Sequence, residues 1–208
     1  MKTKYLVLDA MGVIYKYCDD VEELLIPFIR SNGSNIAKDK IKDYYKKASL
    51  GKLSSKLFWK SVGLSPEIEN EYLHSFILTK GIISFLSKAT NRFEKIVCLS
   101  NDVSEWSNKL RRHFKLSTYI KEWFISGELK CRKPSIEIYY KLLAGLNGIK
   151  SDEITFIDDK EENLIPARNI GLNVILFTGN YNKFEKNTSI EQEICIIDEL
   201  DKLFSVIK

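Results

Sequence analysis

Four short apolar runs constrain the fold of this chain more than any other feature of its sequence. They span residues 5–8, 95–99, 154–157 and 173–177, and helix-like segments at residues 81–90, 103–114, 135–146 and 161–170 lie among them. The runs lack polar alternation, which is typical of parallel strands covered on both faces. We therefore predict an α/β fold, a doubly wound, Rossmann-like parallel sheet in three layers, with the helix-like segments as crossovers.

A region of different character follows the first apolar run. From about residue 15 to residue 78 the sequence has helical periodicity and no convincing strand. Breaks at Pro27, Gly33, Gly51 and residues 63–66 divide it into several predicted helices. We therefore predict a small α-helical cap domain at residues 15–78, inserted into a core domain made of residues 1–14 and 79–208.

Composition and charge argue against several kinds of site and partner. No stretch of the 208 residues approaches the roughly 18 consecutive apolar residues of a membrane helix, and the first residues form no signal-peptide pattern. The four cysteines form no C-x-x-C pair, which argues against a zinc site or a redox dithiol. The net charge of +4 is small, and the densest basic cluster, residues 109–115, lacks nucleic-acid-binding signatures. We expect a cytoplasmic protein without a membrane or nucleic-acid partner.

The turn after the first predicted strand contains a candidate nucleophile. Asp9 ends the apolar run, and Ala10, Met11 and Gly12 follow it. Ligands of open parallel sheets bind at the carboxyl ends of the strands, so Asp9 lies where a site is expected. A carboxylate held there, next to free backbone N–H groups, could attack phosphorus or carbon.

Further polar residues follow other predicted strands and point to a metal. Asp158 and Asp159 end the run at residues 154–157, and carboxylates brought close to Asp9 would repel one another unless a cation lay between them. Hard oxygen ligands of this kind favour Mg²⁺. Ser100, after the second run, offers a hydroxyl to an anionic substrate, and Lys133 before a predicted helix offers a fixed positive charge. Pro134 is predicted in the first turn of that helix.

The order of these residues resembles the four motifs of the haloacid dehalogenase superfamily. The motifs are hhhDxxG at Asp9, hhhSN at Ser100, KP at Lys133 and hhhDD at Asp158 and Asp159, where h is an apolar residue. In the predicted cap, the segment Gly51-Lys52-Leu53 followed by Phe58-Trp59 is similar to the helical-cap subgroup of that superfamily.

The resemblance implies a hydrolase that acts on a small phosphorylated metabolite and uses Mg²⁺. Asp9 would be the nucleophile, Lys133 the charge stabiliser, and Ser100 a catalytic residue that also binds a phosphate oxygen. Asn101 and Gly12 would contribute to substrate binding. The metal ligands would be Asp9, the backbone carbonyl of Met11, Asp158 and Asp159.

Met11 departs from the pattern of the phosphatases that this chain resembles. Those enzymes carry an aspartate two residues after the nucleophile, where it protonates the leaving group and later activates water. A thioether cannot transfer a proton, so the factor of about 10²–10⁴ that such a group contributes is missing unless another residue supplies it. Weak phosphatase activity is the expectation.

Two alternatives stay open at this point. A metal-independent 2-haloacid dehalogenase needs no acid at position 11, because a halide leaves without a proton. Those enzymes, however, bind the halide with an arginine of the cap, and Arg30 is the only arginine within residues 10–91. The second alternative is a binding or regulatory protein that keeps the fold and the anion site without turnover.

Overall fold

The computed structural model describes residues 3–181 and 194–207. Residues 1–2, 182–193 and 208, which the predicted core domain includes, lie outside the described residues. All six strands of the described sheet are parallel, in the order β3-β2-β1-β4-β5-β6, and the predicted α/β fold is confirmed. The strands are β1 (Tyr5–Leu8), β2 (Lys95–Ser100), β3 (Glu122–Ile125), β4 (Ile154–Asp158), β5 (Asn173–Phe177) and β6 (Cys195–Ile197).

Sequence patterns predicted the central strands and missed the two outermost ones. In β3 only Ile125 is fully buried, and β6 has three residues, one of them exposed. Strands at a sheet edge are covered less completely than central ones, so they lack the continuous apolar run that identifies a buried strand.

Helices connect the strands on both sides of the sheet. Each predicted crossover helix is present and ends one residue before its predicted end. The helices of this part of the chain are α5 (Ile82–Ala89), α6 (Ser104–His113), α7 (Ser126–Leu129), α8 (Ile136–Gly145), α9 (Glu161–Asn169) and α10 (Leu203–Val206). The prediction for Pro134 was wrong, because α8 begins at Ile136 and Pro134 lies in the preceding turn, after a cis peptide bond.

The segment between β1 and α5 is helical, as predicted. A π-helical turn (Val21–Leu25) leads into α1 (Ile26–Ser31), and α2 (Lys38–Ala48), α3 (Ser55–Ser61) and α4 (Glu69–His74) follow. Pro27 does not separate helices, because it lies in the first turn of α1, where a proline removes no helical hydrogen bond. An isolated antiparallel bridge between Tyr15 and Leu78 brings the two ends of this segment together.

Two hydrophobic clusters pack against opposite faces of the sheet. On one face, Leu6 and Leu8 of β1 join a cluster that contains Phe85 of α5 and Trp106 of α6, together with apolar residues of α1 to α4. On the other face, Val7 packs with apolar residues of α8 and α9. Among the described residues, no helix is long and apolar enough to cross a membrane. The central strands β1, β2 and β4 are paired in parallel, so their carboxyl ends lie side by side at one end of the buried sheet.

Candidate active site

Three buried carboxylates meet where β1 and β4 end. Asp9 directly follows β1, Asp158 is the last residue of β4, and Asp159 comes next. Because β1 and β4 are paired in parallel with Leu8 opposite Ile157, the two strand ends are adjacent. One oxygen from each carboxylate lies within 4.8 Å of the other two. The sheet thus brings together the three acids that the sequence predicted as metal ligands.

Burial and mutual repulsion disfavour the charged forms of these acids. Burial and the charge of Asp158 raise the pKa of Asp9 to about 7, although Lys133 acts in the opposite direction. Burial together with the charges of Asp158 and Asp9 raises the pKa of Asp159 to about 8. Asp159 Oδ1 is buried with no hydrogen-bond partner among the described residues. A divalent cation would supply that partner and offset the repulsion, so the donor set fits Mg²⁺.

Lys133 bridges two of the acids. Its Nζ lies 2.8 Å from Asp9 Oδ1 and 2.6 Å from Asp158 Oδ2, and it donates a hydrogen bond of 3.0 Å to the carbonyl oxygen of Leu99. Burial lowers the pKa of Lys133, but the charges of Asp158 and Asp9 outweigh burial and the pKa is raised. The side chain is therefore a fixed ammonium ion beside Asp9.

Hydrogen bonds to both carboxylate oxygens fix the position of Asp158. Asn163 Nδ2 donates to both of its carboxylate oxygens, at 3.0 and 3.1 Å, and the backbone N–H of Lys160 donates to Oδ1 at 2.9 Å. With Lys133 on Oδ2, both oxygens of Asp158 are occupied. Asp159 differs from Asp158, because its Oδ1 has no hydrogen-bond partner among the described residues and is free to coordinate a metal.

Asn101 contacts the loop of Lys133 through both ends of its amide. Its Oδ1 accepts the Lys133 N–H at 2.8 Å, and its Nδ2 donates to the Lys133 carbonyl at 2.9 Å. Asn101 lines the same cavity as Asp9, but its side chain is engaged in positioning Lys133. Direct binding of substrate by this amide, which the sequence suggested, would require it to leave Lys133.

Ser100 lines the cavity, whereas Gly12, which the sequence predicted to bind substrate, packs against Asp159 and is not part of the cavity lining. The Ser100 hydroxyl oxygen is buried, lacks a hydrogen-bond partner among the described residues and belongs to a residue that lines the cavity. Gly12 has φ +76°, and a Cβ there would lie 2.3 Å from Asp159 Cγ. A side chain at position 12 would therefore displace Asp159. Met11 is 7% exposed and lies in the cavity wall.

Tyr181 and Asn180 contact the site from the carboxyl end of β5, and sequence reasoning missed both. The Tyr181 hydroxyl donates to Asp159 Oδ2 at 3.1 Å, and Asn180 Nδ2 donates to the Gly12 carbonyl at 2.9 Å. Their position after a predicted central strand was the available signal, because polar residues at such strand ends face the site.

A cavity of about 480 Å³ opens onto Asp9. The core domain contributes Ser100, Lys133 and Asp159 to its wall, and the helical segment contributes residues that the sequence did not single out. Those residues are Cys18, Asp19, Asp20, Val21, Lys42, Tyr45 and Lys46, and Arg132 and Lys160 line the cavity as well. A ligand in this cavity would contact both parts of the chain.

The chain is similar to known proteins, both in sequence and in fold. A family model of haloacid dehalogenase-like hydrolases matches residues 28–177, a segment that contains Ser100, Lys133 and the Asp158–Asp159 pair and that Asp9 precedes. A haloacid dehalogenase (HAD) family enzyme of Bacteroides thetaiotaomicron, solved with magnesium and inorganic phosphate, has a TM-score of 0.73 at 21% identity. That similarity covers 85% of this chain and 94% of the other.

A second solved structure represents a different chemistry on the same fold. It is an L-2-haloacid dehalogenase from Xanthobacter autotrophicus with chloropropionic acid covalently bound, with a TM-score of 0.66 at 15% identity. The similarity covers 97% of this chain and 96% of that one. A comparison with curated proteins finds no match. The family match spans most of the chain, and the protein therefore belongs to the haloacid dehalogenase-like hydrolases.

Proposed function

We propose that this hydrolase is Mg²⁺-dependent and cleaves a small phosphorylated metabolite through a covalent intermediate at Asp9. The observation that supports it most is the buried cluster of Asp9, Asp158 and Asp159 beside Lys133, with one acid oxygen left without a partner. The related Bacteroides fold was solved with magnesium and inorganic phosphate, which is consistent with this chemistry.

Asp9, Lys133 and Ser100 would each act on a different part of the phosphate ester. Asp9 attacks phosphorus, and the Lys133 ammonium stabilises the charge that develops beside it. The free hydroxyl of Ser100 donates to a phosphate oxygen. A bound Mg²⁺ would offset the negative charge shared by phosphate and carboxylates.

We assign the direct protein ligands to Asp9, Asp159 and the backbone carbonyl of Met11. Asp158 belongs to the metal site as well, but its two oxygens are held by Lys133, Asn163 and the Lys160 N–H. Its role is to orient Lys133 and to add negative charge next to the metal. Partners of this kind commonly alter metal affinity by about 10–100-fold.

We also propose that residues 15–78 form a cap that determines which substrate enters. Asp20, which precedes the π-helical turn, and Tyr45 and Lys46 of α2 line the cavity that contains Asp9. Arg132, which lies over the Tyr45 ring, lines the same cavity, so these side chains would contact the part of a substrate that is not transferred.

The metal-independent dehalogenase remains the second candidate, because Met11 provides no acid and a halide needs none. Its predicted halide ligand, Arg30, is not among the residues that line the cavity, and its Nη1 donates to the Ser34 carbonyl at 2.9 Å. The geometry therefore favours phosphate chemistry. Arg132 is the arginine of the described chain that a halide in this cavity could meet.

A panel of phosphorylated metabolites and 2-chloro acids, each assayed with and without Mg²⁺, tests the proposal. We expect Mg²⁺-dependent release of inorganic phosphate from at least one phosphate ester. Chloride release without metal would support the dehalogenase, and specific binding without any turnover would support the regulatory protein.

Asp9→Asn is the matching variant, because the amide keeps the shape of the carboxylate but cannot form the covalent intermediate. We expect complete loss of hydrolysis with the fold intact by circular dichroism. Asp19→Asn, an acid in the same cavity wall, is the control and should keep most of the activity. Full activity in Asp9→Asn would rule out this nucleophile.

A further inference from the structure

The cavity wall contains a buried acid, Asp20, that caps no helix. Asp20 precedes the π-helical turn, but its side chain makes no capping hydrogen bond to it. The residue is 7% exposed, and it lines the same cavity as Asp9 and Met11. A buried carboxyl group is costly unless it is neutral or well paired, so its presence at this position calls for a functional explanation.

The groups around Asp20 leave its carboxyl available. The Tyr45 hydroxyl lies 3.5 Å from Asp20 Oδ2, at the limit of a hydrogen bond, and also donates to the Asn101 carbonyl at 3.2 Å. The Arg132 guanidinium lies over the Tyr45 ring, 5.6 Å from its centroid, and donates a hydrogen bond to the Ser49 hydroxyl oxygen. No ion pair to Asp20 forms within the part of the chain that the structure describes.

The charged surroundings set the protonation of this acid. Burial raises the pKa of Asp20, the charges of Lys160 and Arg132 lower it, Asp19 raises it, and the resulting pKa is about 6. Lys42 and Lys46 of α2 and Glu162 of α9 also face the cavity. A carboxyl group that is partly protonated near neutral pH is well matched to proton transfer in both directions.

We propose that Asp20, supplied by the predicted cap, is the general acid and base that takes the place of the aspartate missing at Met11. The inference rests on the proposed phosphatase function of Asp9. It explains how a chain with a thioether at position 11 turns over esters whose leaving groups need a proton.

In the first step, an Asp9 oxygen forms a bond to phosphorus while the bond from phosphorus to the leaving oxygen breaks. The proton of the Asp20 carboxyl passes to that oxygen, which gives the free alcohol and an Asp20 carboxylate. In the second step, water attacks phosphorus and gives one proton to Asp20, the bond between phosphorus and Asp9 breaks, and inorganic phosphate leaves. Asp9 is again a carboxylate and Asp20 is again protonated.

Other acids of the cavity fit this role less well. Asp19 and Glu162 are more exposed, and Asp159 belongs to the proposed metal site. Asp102 is buried, but it does not line the cavity, and its Oδ1 accepts the N–H of Val103 at 2.6 Å. Lys160 and Lys133 have raised pKa values, which makes them poor proton donors near neutral pH.

The test compares two substrates that differ in their need for a proton. Hydrolysis of 4-nitrophenyl phosphate releases a stable phenolate, whereas phenyl phosphate releases a much more basic one. With Mg²⁺ present, we expect Asp20→Asn to lower kcat/KM for phenyl phosphate by about 10²-fold or more, and for 4-nitrophenyl phosphate by only a few-fold. Asp39→Asn changes an exposed acid of α2 that does not line the cavity, and it should change kcat/KM for both substrates equally and little.

Asp20→Glu keeps a carboxyl group and should recover part of the activity on phenyl phosphate, which a purely structural role would not explain. It also keeps the test decisive if the asparagine variant folds poorly. Equal losses on the two esters in Asp20→Asn, or no loss on either, would overturn the assignment of Asp20 while leaving Asp9 and Mg²⁺ untouched. A wild type that releases phosphate neither from these two esters nor from any member of the metabolite panel would overturn the proposed function and this assignment together.

Discussion

Met11 lies two residues after the proposed nucleophile, with its side chain in the cavity wall. The structure leaves the nucleophile, the ammonium of Lys133 and the acid pair complete around it. At the scale of single residues, the remaining question is therefore how protons are transferred, and position 11 is where a substitution can add the missing group.

Met11→Asp should raise phosphatase activity, most of all on esters with basic leaving groups. The gain should recover part of the factor of about 10²–10⁴ that a proton-transfer group contributes. If Asp20 already performs this role, the gain is small in the wild type and large in an Asp20→Asn background. Steady-state assays with Mg²⁺ measure it, and Met11→Asn is the control, since its amide cannot transfer a proton. An equal gain in Met11→Asn would contradict the prediction.

Asp158 and Asp159 should differ in their effect on Mg²⁺ binding. Asp159→Asn removes the carboxylate with the free buried oxygen, so we expect no Mg²⁺ binding that calorimetry can detect. Asp158→Asn changes a carboxylate whose oxygens are already held, so we expect a weakening of about 10–100-fold. Isothermal titration of both variants and the wild type checks this order. Unchanged affinity in both variants would remove the metal site from this cluster.

At the scale of elements, the loop after α2 fixes how the helical segment lies against the core. The Ser126 hydroxyl donates to the Ser49 carbonyl at 2.5 Å, and Lys130 Nζ donates to the Gly51 carbonyl at 3.2 Å. Gly51 has φ +62°, and a Cβ at that position would lie 2.2 Å from the Gly127 carbonyl oxygen. The first residue of the Gly51-Lys52-Leu53 segment is thus required to be glycine by a close backbone contact.

Gly51→Ala should therefore destabilise the protein by more than backbone strain alone. Gly33→Ala is a matched control, because Gly33 has φ +86° but no heavy atom within 4 Å of the added Cβ. We expect about 1–2 kcal/mol for the control and a larger loss for Gly51→Ala, measured by urea denaturation. Gly51→Ala should also raise KM, because α2 contributes Tyr45 and Lys46 to the cavity. Equal losses in the two variants would mean that the contact with Gly127 is not important.

At the scale of the whole molecule, Glu69 joins the helical segment to the core. Its Oε2 accepts the indole N–H of Trp59 at 3.0 Å and that of Trp106 at 2.9 Å, and Lys109 Nζ lies 2.6 Å from its Oε1. Burial raises the pKa of Glu69, but the hydrogen bonds from Lys109 and Trp106 outweigh burial, so the pKa is lowered. The surrounding apolar residues form one continuous cluster across both parts.

Glu69→Ala should destabilise both parts together. It leaves two buried indole N–H groups without an acceptor, and each such group costs about 1–3 kcal/mol. We expect a single cooperative transition at lower denaturant concentration, seen alike by tryptophan fluorescence and circular dichroism. Lys109→Ala should cost less than about 1 kcal/mol, because its side chain is 47% exposed and exposed ion pairs are weak. Two separate transitions in Glu69→Ala would show that the helical segment and the core unfold independently.

Local sequence was sufficient to predict the central sheet and the residues at its carboxyl edge. The apolar runs identify β1, β2, β4 and β5 because a buried parallel strand needs apolar side chains on both faces. The sequence thus predicted that Asp9 and the Asp158–Asp159 pair follow strand ends. The parallel pairing of β1 with β4 in the structure makes those two strand ends neighbours.

Only the tertiary structure decided which groups surround that cluster. Asp20 and Tyr45 reach the cavity because the helical segment folds back on the core, and Asn101 is engaged with Lys133 across 32 residues of sequence. The edge strands β3 and β6 gain their order from pairing with β2 and β5 rather than from an apolar run of their own. Such contacts join residues far apart in the chain and depend on side-chain orientation. Local periodicity reports which face of an element is buried, but it carries no information on what that face will meet.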